Sequence, residues 1–258
     1  MKEKILQNKE FKFLKDYIWT EISIGCSNTF VYKLEKDGEV LFLKVGEVGV
    51  LSSEYKMFDL LKNYIKIPSV VKYYKDEYEV IVTTEMKGKM SCDDELFEYE
   101  DIVLDCIVEA INQIQNVKID ENLKNNLEIF DLDKEIKIIK QKIKLKEITK
   151  IPDKKVFDKF NNLNEVVKYL EENKPTGELY FSHGDVSLPN VFIDNNKFSG
   201  FIDIGNAGIR QKWYDITDAY VSVRRNFEKQ ETADNFLYKL GIIDKKNVEY
   251  YEMLICLS

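Results

Sequence analysis

Ser182-His183-Gly184-Asp185-Val186-Ser187-Leu188-Pro189-Asn190, followed downstream by Gly200-Phe201-Ile202-Asp203-Ile204-Gly205, decides how this chain is read. It carries three oxygen-bearing side chains in fixed order: Asp185, Asn190 five positions on, and Asp203 at the end of a β-prone run. A carboxylate can accept or orient the proton of an attacking hydroxyl. An amide oxygen and a second carboxylate are hard ligands suited to Mg²⁺. A proton acceptor beside two cation ligands is what transfer of a phosphoryl group to a hydroxyl requires. Asp185 is therefore the candidate catalytic base, with Asn190 and Asp203 the candidate metal ligands. His183, the only histidine, is expected to hold the loop through hydrogen bonds to backbone. Asp215, in Lys212-Trp213-Tyr214-Asp215-Ile216, is expected to accept N–H groups of the same loop.

Outward from this stretch, the segment near Phe181 reads as loop. Val191 to Asp194 and Phe198 to Ile202 read as short strands joined across Asn195-Asn196. Helical spacing dominates from Trp213 to the end and, upstream, from about Ser91 to 173 with one interruption. Tyr99, Val103, Cys106, Ala110 and Ile114 share the expected buried face of the first long helix.

The first part of the chain is different. Phe30-Val31-Tyr32-Lys33-Leu34 and Val40-Leu41-Phe42-Leu43-Lys44-Val45 are β-prone runs separated by the hairpin signal Lys36-Asp37-Gly38. A helix is expected over 52–65, and another strand over Val80-Ile81-Val82-Thr83-Thr84. Lys44, with Glu54 on the following helix, forms a candidate ion pair for nucleotide phosphates. The loop Ser23 to Thr29 has one glycine and matches neither G-x-G-x-x-G nor a Walker A motif; its N–H groups and Ser27 hydroxyl are candidates for covering phosphates. This order predicts an α+β, two-lobed protein-kinase-like fold. Residues 1–86 form a small β-rich nucleotide-binding lobe, 87–258 a larger α-helical catalytic and substrate-binding lobe, and the hinge lies near 84 to 88.

Composition excludes several alternatives. No run of eighteen apolar residues exists, and the N-terminus lacks a signal-peptide pattern, so a cytoplasmic protein with no membrane partner is expected. The scattered cysteines (Cys26, Cys92, Cys106, Cys256) fit neither a metal pair nor a disulfide framework. A net charge of −8 argues against nucleic acid as partner. The charge is uneven: residues 134–159 hold ten lysines against four acids, a local +6, leaving −14 on the remainder.

With these residues in place, the chain resembles the aminoglycoside 3′-phosphotransferases, within the protein-kinase-like antibiotic phosphotransferases. The likeness is densest in FSHGDVSLPNVFID, FSGFIDIGNAG and KWYDI, and extends to VYKLEKDGEVLFLK and the C-terminal LGI and YYEML. It implies ATP and Mg²⁺ as cofactors, with Asp185 as base and Asn190 and Asp203 on the metal. It further implies Lys44 with Glu54 on the triphosphate, Ser27 at the β-phosphate, Phe42 stacked on adenine, and the backbone of Thr84 and Met86 bonded to the base. The implied partner is a small-molecule hydroxyl acceptor, and the chain is expected to be a monomer or weak dimer. The family's acids are replaced at Arg225 and Asn226, and the C-terminus ends Ile255-Cys256-Leu257-Ser258 without its acidic residues. Asp153, Asp158 and Asp218 are the acids placed to substitute for them. Two further readings stay open at this level: a kinase for a non-aminoglycoside hydroxyl compound, and a nucleotide-binding pseudokinase.

Overall fold

The computed structural model describes residues 1–22, 29–153 and 155–257. The chain divides into two compact units, Met1–Met86 and Lys87–Ser258.

The first unit opens with helix α1 (Lys2–Gln7) and a 3₁₀ turn (Lys9–Leu14). Five antiparallel strands follow: β1 (Ile18–Ile22), β2 (Phe30–Lys36), β3 (Glu39–Gly46), β4 (Val70–Lys75) and β5 (Glu79–Thr84), in spatial order β1-β2-β3-β5-β4. Helix α2 (Ser52–Leu61) lies between β3 and β4 in sequence. The β2–β3 turn is the one the sequence announces: Asp37 and Gly38 both take positive φ, 49° and 85°, as a two-residue hairpin loop needs. Alternation on β3 sends Leu41, Leu43 and Val45 into a core with Leu34, Val80, Val82, Phe11 and Ile5. It leaves Phe42 and Lys44 together on the opposite, half-buried face.

Two features of this unit differ from expectation. The helix stops at Leu61 rather than 65, although Ile65 still buries. Strand β4 was not apparent, because Val70-Val71-Lys72-Tyr73-Tyr74-Lys75 mixes lysines with half-buried aromatics and shows no clean alternation.

The second unit begins with the two-residue strand β6 (Lys89–Met90) and the 3₁₀ turn Asp94–Tyr99. Helices α3 (Glu100–Gln115), α4 (Glu121–Asn126), α5 (Leu132–Lys144) and α6 (Leu163–Glu172) come next. Strands β7 (Leu179–Ser182), β8 (Val191–Asp194), β9 (Lys197–Phe201) and β10 (Gly208–Gln211) carry the central stretch, and α7 (Trp213–Phe227), α8 (Gln230–Lys239) and α9 (Lys246–Ile255) close the chain. Val103, Cys106, Ala110 and Ile114 of α3 are buried as expected, whereas Tyr99 precedes the helix with non-helical dihedrals and stays exposed. Near Phe181 the chain is a strand and not a loop: β7 pairs with β10, a partner from beyond the hairpin that local sequence cannot announce. The β8–β9 hairpin turns at Asn195 and Asn196, both at positive φ. Among the described residues no helix is long and apolar enough to cross a membrane.

Candidate active site

Helix α7 organises the Ser182–Asn190 loop from beneath. Three polar side chains, Asp215, Asp218 and Ser222, recur at i, i+3 and i+7 and so share one face. The buried Asp215 carboxylate accepts from the Ser182 hydroxyl (2.9 Å), the His183 N–H (3.1 Å) and the Gly184 N–H (3.0 Å). Burial pushes this carboxyl up, while Gly184, His183 and Ser182 work to keep it charged. At the other end, the Ser222 hydroxyl accepts the Leu188 N–H at 2.9 Å. Helix and loop are thereby stapled at both ends.

His183 lies fully buried between them, and burial pushes its imidazole below the usual range. The neutral ring accepts the Asp185 N–H at Nδ1 (3.3 Å), which leaves Nε2–H to donate to the Ile202 carbonyl (3.2 Å). One imidazole thus ties the loop of Asp185 to the strand end that precedes Asp203. Gly184 permits the bend. Its φ is +82°, and a Cβ there would stand 2.2 Å from the Asn206 carbonyl oxygen. Gly184→Ala is expected to destabilise the second unit by more than about 2 kcal/mol, read by urea titration. A shift below half that value would mean the loop and the Asn206 turn separate easily.

Asn190, buried at the end of the 3₁₀ turn Leu188–Asn190, donates Nδ2 to the Asp185 carbonyl (3.1 Å) and to the Ser187 hydroxyl (3.2 Å). That orientation commits its nitrogen to the loop and leaves the carbonyl oxygen as the end suited to a cation. Asp203 sits at φ 57°, ψ 58°, in the left-handed region that non-glycine residues rarely occupy, at the start of a 3₁₀ turn (Ile204–Asn206). The Arg210 guanidinium holds that turn, donating to the Asn206 carbonyl at 3.0 Å between the rings of Phe130 (3.8 Å) and Tyr214 (4.7 Å). The oxygens of Asn190 and Asp203 match the hard-donor preference of Mg²⁺. Among the described residues no group of three or more His, Cys, Asp or Glu side chains is placed to hold a metal ion by itself.

In the first unit, Lys44 Nζ meets both carboxylate oxygens of Glu54, at 2.9 and 3.0 Å. Glu54 owes its place to the buried Glu79, which accepts the Leu51 and Ser52 N–H groups (2.6 and 3.0 Å) at the start of α2. Burial alone would raise the Glu79 carboxyl, yet bonds from Ser52, Lys75 and the Leu51 and Gly49 backbone hold it down to about 2. Thr84, at the end of β5, donates its N–H to the Ser69 carbonyl (2.9 Å), and Met86 is buried. Ser27 lies outside the described residues.

The lysine-rich segment is a solvated face. Lys134 pairs with Glu128 and Lys140 with Glu171, all on exposed side chains, while Ile136 and Ile139 turn inward. Of the substitute acids, Asp153 and Asp158 are exposed, and Asp218 lies beneath the loop. Sequence reasoning did not connect Asp218 or Ser222 with the Ser182–Asn190 loop. The i, i+3, i+7 recurrence directly after Trp213-Tyr214 is the signal that points to them.

A family model described as the phosphotransferase enzyme family matches residues 18–242. The chain belongs to that family. As a phosphotransferase it is a kinase-like enzyme with a hydroxyl group as acceptor. It is 27% identical to an aminoglycoside 3′-phosphotransferase of Enterococcus faecalis over 94% of both chains, and 27% identical to one of Staphylococcus aureus with the same coverage. Among solved structures, the phosphotransferase resembles an aminoglycoside-3′-phosphotransferase of type VIII (TM-score 0.71, 20% identity, 94% of each chain). It also resembles aminoglycoside phosphotransferase APH(3'')-Id of Streptomyces rimosus in complex with ADP and streptomycin (TM-score 0.69, 16% identity, 93% and 92% of the two chains). These likenesses establish the kinase-like α+β fold. They do not favour a pseudokinase or a kinase for unrelated hydroxyl compounds.

Proposed function

We propose that this phosphotransferase moves the γ-phosphoryl group of ATP, with Mg²⁺, to a hydroxyl of an aminoglycoside. The observation that carries the reading is the stapled loop, in which Asp215 and His183 fix the backbone on both sides of Asp185 while Asn190 turns its amide nitrogen inward. Asp185 orients the acceptor hydroxyl and takes its proton as the oxygen–phosphorus bond forms. Asn190 and Asp203 hold the cation, whose contribution is to offset charge on the phosphate oxygens. Lys44, steadied by Glu54, binds the triphosphate; Ser27 covers the β-phosphate; Phe42 stacks on adenine; and the backbone of Thr84 and Met86 bonds its edge. The aminoglycoside acceptor is supported by the curated relatives, which carry that substrate in their names across nearly the whole chain.

Mass spectrometry of kanamycin after incubation with enzyme, ATP and Mg²⁺ tests the acceptor: a monophosphorylated product supports it, and unmodified kanamycin removes it. Lys44→Ala tests the nucleotide assignment. Losing a charge-assisted contact to phosphate is expected to raise KM for ATP roughly tenfold or more. An unchanged KM would take Lys44 out of the nucleotide site.

A further inference from the structure

Between the two staples of α7 sits a carboxyl with one acceptor oxygen left unfilled. Asp218 lies one turn after Asp215 and one turn before Ser222, under the Asp185–Val186 segment, and the Val186 N–H points at it. Its Oδ2 is buried and has no hydrogen-bond partner. A structural carboxylate in this position would have its acceptors filled, as those of Asp215 are. Around it stand Asp185 from the loop and Asp215, Tyr214 and Arg225 from α7 itself; Arg225, the one cation of the set, is on the exposed side. Arg210 of β10 bears on Asp215 and Tyr214, and on the helices packed against α7 the acids Asp234 of α8 and Glu252 of α9 are engaged by Lys245 and Arg224. Asp218 is therefore a half-buried residue with an enclosed Oδ2 among like charges, and desolvation followed by the charges of Asp185 and Asp215 pushes it up to about 7.

We propose that Asp218 is a positioning residue for phosphoryl transfer that acts through Asp185: its carboxyl, with Oδ2 enclosed, sets the field in which the acceptor's proton moves, so that turnover follows the charge on Asp218. The inference rests on Asp185 being the base. In the transfer, the acceptor O–H bond breaks, an oxygen–phosphorus bond forms, and the bond from the γ-phosphorus to the bridging oxygen breaks to release ADP. The proton passes to Asp185, and Asp218 neither gains nor loses one during turnover. A negative charge beneath the loop attracts that proton toward Asp185 and favours the transfer. A neutral Asp218 does not. Turnover should accordingly rise as pH passes through the neutral range.

Two measurements test this. In enzyme labelled with ¹³C at the aspartate carboxyls, one resonance should titrate near neutral pH, vanish in Asp218→Asn, and titrate at lower pH in Asp185→Asn, where a repelling charge is gone. This readout needs no turnover, so it stands apart from the identity of the acceptor. Kinetically, kcat with ATP and kanamycin should rise about three- to tenfold from pH 6 to pH 8 in the wild type. In Asp218→Asn it should stay at its pH 6 level, with KM for ATP within twofold. The absence of a near-neutral aspartate, an unmoved titration in Asp185→Asn, or a pH profile retained in Asp218→Asn would each overturn the proposal.

Discussion

Asp185→Asn is expected to lower kcat by roughly 10²- to 10⁴-fold while the protein keeps its fold and its affinity for nucleotide. The substitution preserves shape and leaves the backbone bond from residue 185 to His183 Nδ1 intact, as well as the Asn190 bond to the carbonyl of residue 185. What it removes is the negative oxygen that takes the acceptor's proton. Steady-state kinetics with saturating ATP, beside a calorimetric titration with ADP, separates the two effects. Near-normal turnover in a folded variant would mean that Asp185 is not the base. Lost turnover together with lost ADP binding would point to a collapsed loop.

Asp215→Ala has the largest expected effect on stability, about 3–5 kcal/mol, with a fall in Tm on the order of 10 °C. Asp215 is almost fully buried, and its two oxygens serve a hydroxyl and two N–H donors that have no water to fall back on. Deleting the carboxylate strands all three donors at once and opens a cavity under the loop. Turnover should fall with stability, since the same bonds hold the backbone around Asp185. Urea denaturation followed by tryptophan fluorescence measures the change, Trp213 lying at the start of the same helix. A shift under about 1 kcal/mol would show that the loop holds its shape without the clamp.

The residues on which the proposed chemistry rests could be picked out because they are local. Asp185, Asn190 and Asp203 fall within one continuous stretch, and the turns at Asp37-Gly38 and Asn195-Asn196 carry the small polar residues that positive φ requires. The Lys44–Glu54 pair was accessible too, since a strand and the helix after it have fixed periodicities. Non-local information was missing. Strand β7 looked like loop because the ladder that makes it a strand comes from Gly208–Gln211. Tyr99 seemed to belong on the buried face of α3 because periodicity does not reveal where a 3₁₀ turn gives way to a helix. The placing of Ser222 and Asp218 under the Ser182–Asn190 loop also depends on α7 packing beneath residues more than thirty positions earlier, as the Leu188–Ser222 bond shows. The lysine run was ambiguous for a related reason. Sequence shows ten like charges, and only the fold shows partners such as Glu128 and Glu171.

The most direct test of the whole account is ADP release, measured by a coupled assay with purified enzyme, ATP and Mg²⁺, across kanamycin-like and neomycin-like aminoglycosides, macrolides, nucleosides and simple sugars. Stimulation by an aminoglycoside well above the acceptor-free rate, abolished in Asp185→Asn, is the predicted result. Stimulation by another acceptor class alone, or no stimulation by any, would contradict it.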